Sequence, residues 1–306
     1  MYKYYLQSYV FSSCEKNSEG PSTKSSNETL IGRRVVHLQH FVDSLKTISC
    51  HNKVFGCDIT NLECRKETRL GLNSIITFRC NMCNVDLSIH TNPFEGKNES
   101  SSENIVQECT KTININTSCV EGIMSIGCGF YNLQEFLSSM EIPCMDEKTY
   151  KKHHDTVSKV IEKTALEEMK KSAEKEKQIA IEKGHVDKDG IPCITVVGDG
   201  SWSKRSYRTN YNALSGTAAV MGLQTGEVLY LGIKNKFCVI CIMAQEKREE
   251  PKQHQCFRNY KGTSAGMEST AIVEAFKQSI SMYGLKYTKF VADGDSSTYK
   301  KLIEAR

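Results

Sequence analysis

The chain has 306 residues, of which 39% are hydrophobic and 25% are charged, and its formal net charge is +4. This length is sufficient for two domains with separate hydrophobic cores, and the composition is too apolar for a wholly disordered chain. No stretch approaches the roughly 18 apolar residues of a membrane span, and the first residues lack the pattern of a signal peptide. The sequence therefore predicts neither a membrane protein nor an exported one, and its mildly basic charge permits a nucleic-acid partner without requiring one.

Cysteine is unusually frequent, with 14 residues in the chain. Disulfides are disfavoured inside cells, so clustered thiols in a chain without an export signal favour metal binding or simple burial. The spacing of the cysteines must decide between these two interpretations.

The amino-terminal part contains two polar stretches and a cysteine-rich module. A flexible arm is predicted at residues 1–30, because Ser, Asn, Glu, Lys and Gly predominate there. A surface loop is predicted at residues 95–104 for the same reason. Residues 31–145 predict a small α+β module, with a short helix near Phe41 and a strand at residues 74–80.

A long charged helix is predicted at residues 146–185, where proline is absent and Gly184 supplies a stop. Its many Lys and Glu residues favour a solvated face with i,i+4 ion pairs over a helix that contacts nucleic acid. The apolar face is predicted from residues at three- and four-residue spacing, namely Val157, Val160, Ile161, Ala165 and Met169.

Residues 190–306 predict an α/β core. The order is β-β-β-α-β-α, with strands at 191–198, 212–223 and 227–240, a helix at 265–283, a strand at 287–292 and a helix from 296. Thr225 and Gly226 occupy the hairpin turn between the second and third of these strands.

Two aspartates stand where predicted strands end: Asp199 follows the first strand of this core and Asp293 the fourth. Carboxylates at one edge of adjacent strands can converge on a hard cation such as Mg²⁺. Asp295 is a further candidate ligand, or alternatively the N-cap of the last helix. Asp-Gly pairs also begin turns after strands, so a purely structural role remains open for each.

A group of thiols and an imidazole follows the third predicted strand, as Cys238-x2-Cys241 and His254-x-Cys256. These ligand types at a short spacing suit tetrahedral Zn²⁺, and four protein ligands leave no open position, which predicts a structural site. A bound metal would also order the polar segment AQEKREEPKQHQ, which cannot form a core alone. The alternative is a set of reduced core cysteines around KFCVICIM.

A second, less regular set of thiols lies in the amino-terminal module. The pair in RCNMC has the spacing of a zinc-ribbon knuckle, whereas the pair before it is separated by six residues. His51 and His90 are substitute ligands. The predicted Zn²⁺ ligands are Cys57, Cys64, Cys80 and Cys83. Packing roles are predicted for Cys109, Cys119, Cys128, Cys144 and Cys193.

The segment after Asp199 interleaves aromatic and basic side chains. Such a combination can hold a phosphate backbone and stack a base, although a solvated basic turn is an equal alternative. The candidate nucleic-acid-binding residues are Trp202, Lys204, Arg205, Tyr207 and Arg208.

Several strings in one order resemble the Mutator-like transposase domain that is abundant in arthropod genomes: GDGSWSKRSYRTNYNALSG, LGIKNKFCVIC, HQCFRNYKGTSAGMES, IVEAFKQS and FVADGDSSTYKKL. GLNSIITFRCNMC, IGCGFYNLQEFLSSMEIPC and the long helix are similar to the part that precedes the catalytic core of that family. The resemblance covers roughly residues 31–306.

The resemblance implies a ribonuclease-H-like fold with a DDE-type site, in which Asp199 is the first acid and Asp293 the second. Mg²⁺ or Mn²⁺ would activate water to cleave DNA at the element ends and then the freed 3′-hydroxyl to attack target DNA, both as in-line displacements. The resemblance also implies nuclear action and leaves homo-oligomerisation open. The Cys238 group becomes a zinc-binding insertion in this core.

The third acid of such a site should come from a helix beyond a fifth strand. Glu304 lies on the helix directly after Asp293, and Glu268 and Glu274 precede Asp293, so none of the three is assigned. The resemblance therefore predicts a truncated, incomplete ribonuclease-H-like core. Two further interpretations stay open: a catalytically inactive, zinc-stabilised DNA-binding or interaction protein of the same descent, and an RNase-H-like nuclease that acts on RNA.

Overall fold

The computed structural model describes residues 30–93, 113–203, 212–292 and 296–304. The chain divides into two compact units, Met1–Val157 and Ser158–Arg306, and the described residues of each unit form one β-sheet. The structure is thus of the mixed α/β class, as predicted. In the described ranges no helix combines the length and apolarity needed to cross a membrane.

The first unit contains a three-stranded antiparallel sheet in the order β1-β2-β3, preceded by one helix and followed by two. Its elements are α1 (Leu38–Ser49), a 3₁₀ turn (Ile59–Asn61), β1 (Leu62–Leu70), β2 (Asn73–Cys80), β3 (Asp86–His90), α2 (Ile115–Ser125) and α3 (Phe130–Ser139). The predicted helix near Phe41 and the predicted strand at residues 74–80 are both present.

Two small apolar clusters lie in this unit. In one, Ile48 of α1 packs against Ile76 and Ile89 of the sheet. In the other, α2 and α3 pack against residues that include Tyr150 in the first turn of α4 (Glu147–Glu182). Periodic apolar positions on α2 and α3 account for the second cluster, whereas the first joins α1 to one face of the sheet.

The long helix α4 confirms the predicted element, but part of its predicted apolar face is wrong. Val157 is buried, whereas Val160 and Ile161 are 60% and 52% exposed. The buried positions further along are Ser172, Ala173, Glu176 and Ala180, so the packed surface begins again only in the second half of α4.

The second unit contains a four-stranded sheet in the order β6-β5-β4-β7. β5 pairs antiparallel with both β4 and β6, and β7 pairs in parallel with β4. The elements are β4 (Cys193–Trp202), β5 (Ser215–Gly222), β6 (Val228–Asn235), α5 (Val239–Lys247), α6 (Gly266–Tyr283), β7 (Lys286–Val291) and α7 (Ser296–Glu304).

One face of this sheet is covered by α6 and by the second half of α4. Gly232 of β6 lets α6 approach the sheet closely, because a Cβ on Gly232 would lie 2.6 Å from the Cβ of Ala271. Small residues on the sheet thus let α6 pack closely on β6 and β5.

The third predicted strand is too long, and one helix was missed. β6 ends at Asn235, and residues 239–240 begin α5 instead of continuing the strand. The Asn235 side chain accepts a hydrogen bond from the N–H of Phe237, which turns the chain out of the ladder. The observed order is therefore β-β-β-α-α-β-α.

Candidate metal centres and acidic strand edge

The insertion between β6 and α6 gathers Cys238, Cys241, His254 and Cys256. Their ligand atoms all lie within 4.8 Å of one another. Cys238 is the N-cap of α5 and Cys241 lies in its first turn, so the helix start sets the separation of the two thiols. The Nε2 atom of His254 lies 3.2 Å from Cys238 Sγ and 3.4 Å from Cys241 Sγ.

Neighbouring groups shift the pKa values of three side chains in this group. The pKa of Cys238 is lowered to about 6, chiefly because the N–H of Cys241 donates to its sulfur. The pKa of Cys241 is raised to about 11, chiefly by its contact with Cys256. His254 Nδ1 lies 2.6 Å from the carbonyl oxygen of Lys252, which raises the pKa of the imidazole to about 9 and points Nε2 at the sulfurs.

These four side chains suit a tetrahedral zinc ion. Three sulfurs and one ring nitrogen form a closed ligand set, and the carbonyl at the second ring nitrogen is the usual outer partner of a metal-bound histidine. Within residues 238–263, all of them described, Ala244 is the one buried residue, so apolar packing contributes little to holding this segment.

A second group lies in the first unit and consists of His51, Cys57, Cys80 and Cys83, again with all ligand atoms within 4.8 Å. His51 Nε2 lies 3.2 Å from Cys83 Sγ, and its Nδ1 lies 2.8 Å from the carbonyl oxygen of Ile48. Burial raises the pKa of Cys57 to about 12. Burial also opposes ionisation of Cys80, but the N–H groups of Cys83 and Met82 donate to its sulfur and lower its pKa to about 6.

Cys64, a ligand predicted from the sequence, is not in this group. It lies on β1 opposite Phe78 and packs against the apolar cluster beneath α1. His51, named only as a substitute, stands in the fourth position, whereas His90 lies on β3 opposite Ile75.

Four of the remaining cysteines in the described residues have ordinary contacts. Cys119, Cys128 and Cys144 pack against the apolar cluster of α2 and α3. Cys193 Sγ donates to the carbonyl oxygen of Ile191. Cys109 lies outside the described residues.

Asp199 lies within β4, where it pairs with Ala219 of β5, because the ladder with β5 continues to Trp202. The ladder between β4 and β7 ends earlier, at the pair Val197 and Val291. Asp199 is therefore exposed beyond the last pair with β7, and the N–H of Gly200 donates to its carboxylate at 2.8 Å.

Asp293 and Asp295 lie outside the described residues. In the sequence, Asp293 follows Val291 by two positions, as Asp199 follows Val197.

The structure places one more carboxylate at this edge. Glu268 lies in the first turn of α6, and a Cβ built on Gly200 would lie 2.6 Å from Glu268 Oε2. Sequence reasoning set Glu268 aside because it precedes Asp293 in the chain. The sequence gives no signal that Glu268 lies close to Gly200, because Glu268 is simply the third residue of a helix that follows a Gly-rich turn.

Trp202 is the described member of the predicted nucleic-acid-binding set. Its indole N–H donates to the carbonyl oxygen of Ser264 at 3.0 Å, and its ring lies against Gly216, with 38% of the residue exposed. The other predicted members, Lys204, Arg205, Tyr207 and Arg208, lie outside the described residues.

These features define a mixed α/β protein with two groups of cysteine and histidine residues suited to holding a metal ion. The family model of the Mutator-like transposase matches residues 32–306, and the chain belongs to this family. No curated protein and no solved structure matched the chain.

Proposed function

We propose that the second unit is a ribonuclease-H-like transposase core that acts on DNA phosphodiesters with divalent metal ions. The observation that carries this proposal is the parallel register of β4 and β7, in which Val197 pairs with Val291. Each of these residues is followed two positions later by an aspartate, Asp199 or Asp293. The sheet order β6-β5-β4-β7, with one parallel pair, supports the same core.

The residues proposed to hold Mg²⁺ or Mn²⁺ are Asp199 and Asp293, with Asp295 as a further ligand. When bound, such ions activate a water or 3′-hydroxyl nucleophile and stabilise the leaving oxygen. The N–H of Gly200 fixes one oxygen of the Asp199 carboxylate, and Glu268 adds negative charge to the same edge. The indole N–H of Trp202 donates to the carbonyl oxygen of Ser264, which holds the end of β4 directly before the basic residues 204–208 of the sequence.

The partner in this proposal is DNA, at transposon ends and target sites, and the place of action is the nucleus. Basic side chains at residues 204–208 contact the phosphate backbone, so binding weakens steeply as salt rises because counterions are released. Zn²⁺ at Cys238, Cys241, His254 and Cys256 orders the insertion and takes no part in the chemistry.

The test is metal-dependent nicking of supercoiled plasmid DNA by the purified chain. With Mn²⁺ present, Asp199→Asn and Asp293→Asn are each expected to lower the nicking rate by roughly 100-fold or more, since each removes a metal-binding charge. The matched control is Asp189→Asn, which changes an exposed aspartate in a turn away from the edge. Equal nicking by the wild type and Asp199→Asn contradicts the proposal.

A second function rests on the two cysteine and histidine groups, which need no catalytic acid. According to this second proposal, the chain is a catalytically inactive, zinc-stabilised DNA-binding or interaction protein. Absence of nicking by the wild-type chain, together with salt-sensitive binding to duplex DNA, favours this alternative and overturns the catalytic proposal.

A further inference from the structure

We propose that His51, Cys57, Cys80 and Cys83 form a closed zinc site that holds the amino-terminal helix and sheet together. This site lies in the first unit and does not depend on the proposed transposase chemistry. Its ligand set differs from the one that cysteine spacing predicts, because an imidazole replaces the thiol of Cys64.

The turn after β2 is built to hold a thiolate. Cys80 is fully buried, and its sulfur accepts hydrogen bonds from the backbone N–H groups of Met82 and Cys83. The carbonyl oxygen of Cys80 accepts from the N–H of Asn84, whose φ of 56° closes the turn. This arrangement brings the thiols of Cys80 and Cys83 to one side of the turn, as a zinc knuckle requires.

His51 is oriented as a metal ligand. It follows the end of α1, and its Nδ1 lies 2.8 Å from the carbonyl oxygen of Ile48 in the last turn of that helix. A carbonyl can only accept, so Nδ1 carries the proton and Nε2 presents its lone pair to the sulfurs. The 3.2 Å separation of Nε2 from Cys83 Sγ leaves both atoms within reach of one ion.

Cys57 completes the set from the loop between α1 and β1. It is 6% exposed, and its N–H donates to the carbonyl oxygen of Asn52, which folds the loop back toward His51. The four ligands thus come from three segments: the end of α1, this loop, and the turn between β2 and β3. A single ion bonded to all four links them.

The packing of this part of the chain gives a physical reason for such a link. The apolar cluster between α1 and the sheet has three buried members, Ile48, Ile76 and Ile89. A core of this size supplies little stability to a module of about 60 residues, and small modules commonly use a structural metal instead. Zinc bound by ligands that come together only on folding contributes its binding free energy to the fold.

Cys64 is excluded by its place in the sheet. It faces the apolar cluster from β1, and a register irregularity follows it between Cys64 and Lys66. Its thiol therefore serves packing, and a hydroxyl there should disturb the cluster without removing the metal.

The test measures zinc per chain in the purified full-length protein by elemental analysis, with variants of each candidate ligand. Cys80→Ser and His51→Ala are each expected to bind one zinc ion fewer than the wild type, whereas the control Cys64→Ser is expected to bind the same number. Loss of zinc in Cys64→Ser, or wild-type zinc content in both ligand variants, overturns the proposed ligand set.

A second measurement does not depend on the folding of a damaged site. In the cobalt-substituted protein, His51→Cys should keep the metal and change the visible spectrum toward that of a four-sulfur site. An unchanged spectrum in His51→Cys means that His51 is not a ligand and overturns the proposal. Iron in place of zinc in the isolated protein would overturn the metal assignment.

Discussion

A largely buried ion pair links the start of the described chain to the first sheet. Arg34 donates to both carboxylate oxygens of Glu67 on β1, at 2.6 and 2.5 Å, and Ser74 donates to the same carboxylate. The side chains of the pair are 18% and 10% exposed. Because bidentate pairs of this kind are stronger than neutral hydrogen bonds, Glu67 should contribute measurably to the stability of this unit.

We predict that this contribution depends on pH. The hydrogen bonds from Arg34 hold the pKa of Glu67 below its ordinary value of 4.5. The stabilisation is therefore complete above pH 4.5 and is lost as pH falls through the pKa of the folded state. At pH 7, Glu67→Gln should cost about 2 kcal/mol, measured as urea unfolding by far-UV circular dichroism, and the cost should shrink below pH 4.

The matched control for this prediction is Glu135→Gln, which changes an exposed glutamate on α3 of the same unit. It should leave the unfolding curve unchanged at both pH values. A loss in Glu67→Gln that stays constant down to pH 3 would contradict the ionic origin of the effect.

Single residues also show what the sequence could predict about the sites. Spacing alone predicted that Cys238, Cys241 and the pair in RCNMC belong to groups of candidate metal ligands, because zinc knuckles place two residues between a pair of ligands. It named His51 only as a substitute and could not choose it over Cys64, because the position of His51 depends on where α1 ends and how the following loop folds. Glu268 was missed for a related reason: its proximity to Gly200 arises from the packing of α6 on the sheet.

At the scale of elements, one buried carboxylate docks α4 on the hairpin between β5 and β6. Glu176 is fully buried, and its Oε1 accepts hydrogen bonds from the N–H groups of Gln224 and Thr225 and from the Thr225 hydroxyl. Gly222 leaves space for it, since a Cβ there would lie on the carboxylate. The helix thus satisfies the polar groups of the turn that it covers.

We predict that Glu176→Ala destabilises the second unit by about 3 kcal/mol, because it leaves buried donors unsatisfied and opens a cavity. Glu176→Gln should cost less, since its amide oxygen can still accept from the turn. The measurement is urea unfolding followed by the fluorescence of Trp202, the one tryptophan of the chain.

Glu174→Ala is the control on the same helix. Its carboxylate is 71% exposed and forms an ion pair with Lys177 at 3.8 Å, which predicts a change within about 0.5 kcal/mol. Equal losses in Glu174→Ala and Glu176→Ala would show that removing any carboxylate from this helix destabilises the unit, and would contradict a specific role of Glu176 in docking.

The elements themselves were largely predictable, and the errors have a common cause. Period and glycine stops located α4, and alternation located the four strands of the second sheet. The exposure of Val160 and Ile161 could not be predicted, because apolar spacing on a helix does not reveal where a partner surface ends. The first two residues of the apolar run VICIM, at positions 239–240, were predicted as strand because short apolar runs do not distinguish strand from helix.

At the scale of the whole molecule, the described residues of each compact unit include one group of cysteine and histidine side chains. The group in the first unit adjoins a three-residue apolar cluster, whereas the group in the second unit lies in an insertion outside the main core of twelve buried residues. Loss of metal should therefore have different consequences in the two units. In the first it should unfold α1 and its sheet, and in the second it should free the insertion while the sheet persists.

Limited proteolysis with trypsin, followed by mass spectrometry of the fragments, measures this difference. Cys241→Ser should open Lys247, Arg248 and Lys252 to rapid cleavage, because the segment around them has little apolar packing, and it should leave residues 38–90 protected. Cys80→Ser should give the reverse pattern. The two compact units have separate cores, so the loss of one ligand should affect only its own unit. Rapid cleavage of both regions in Cys241→Ser would contradict this independence.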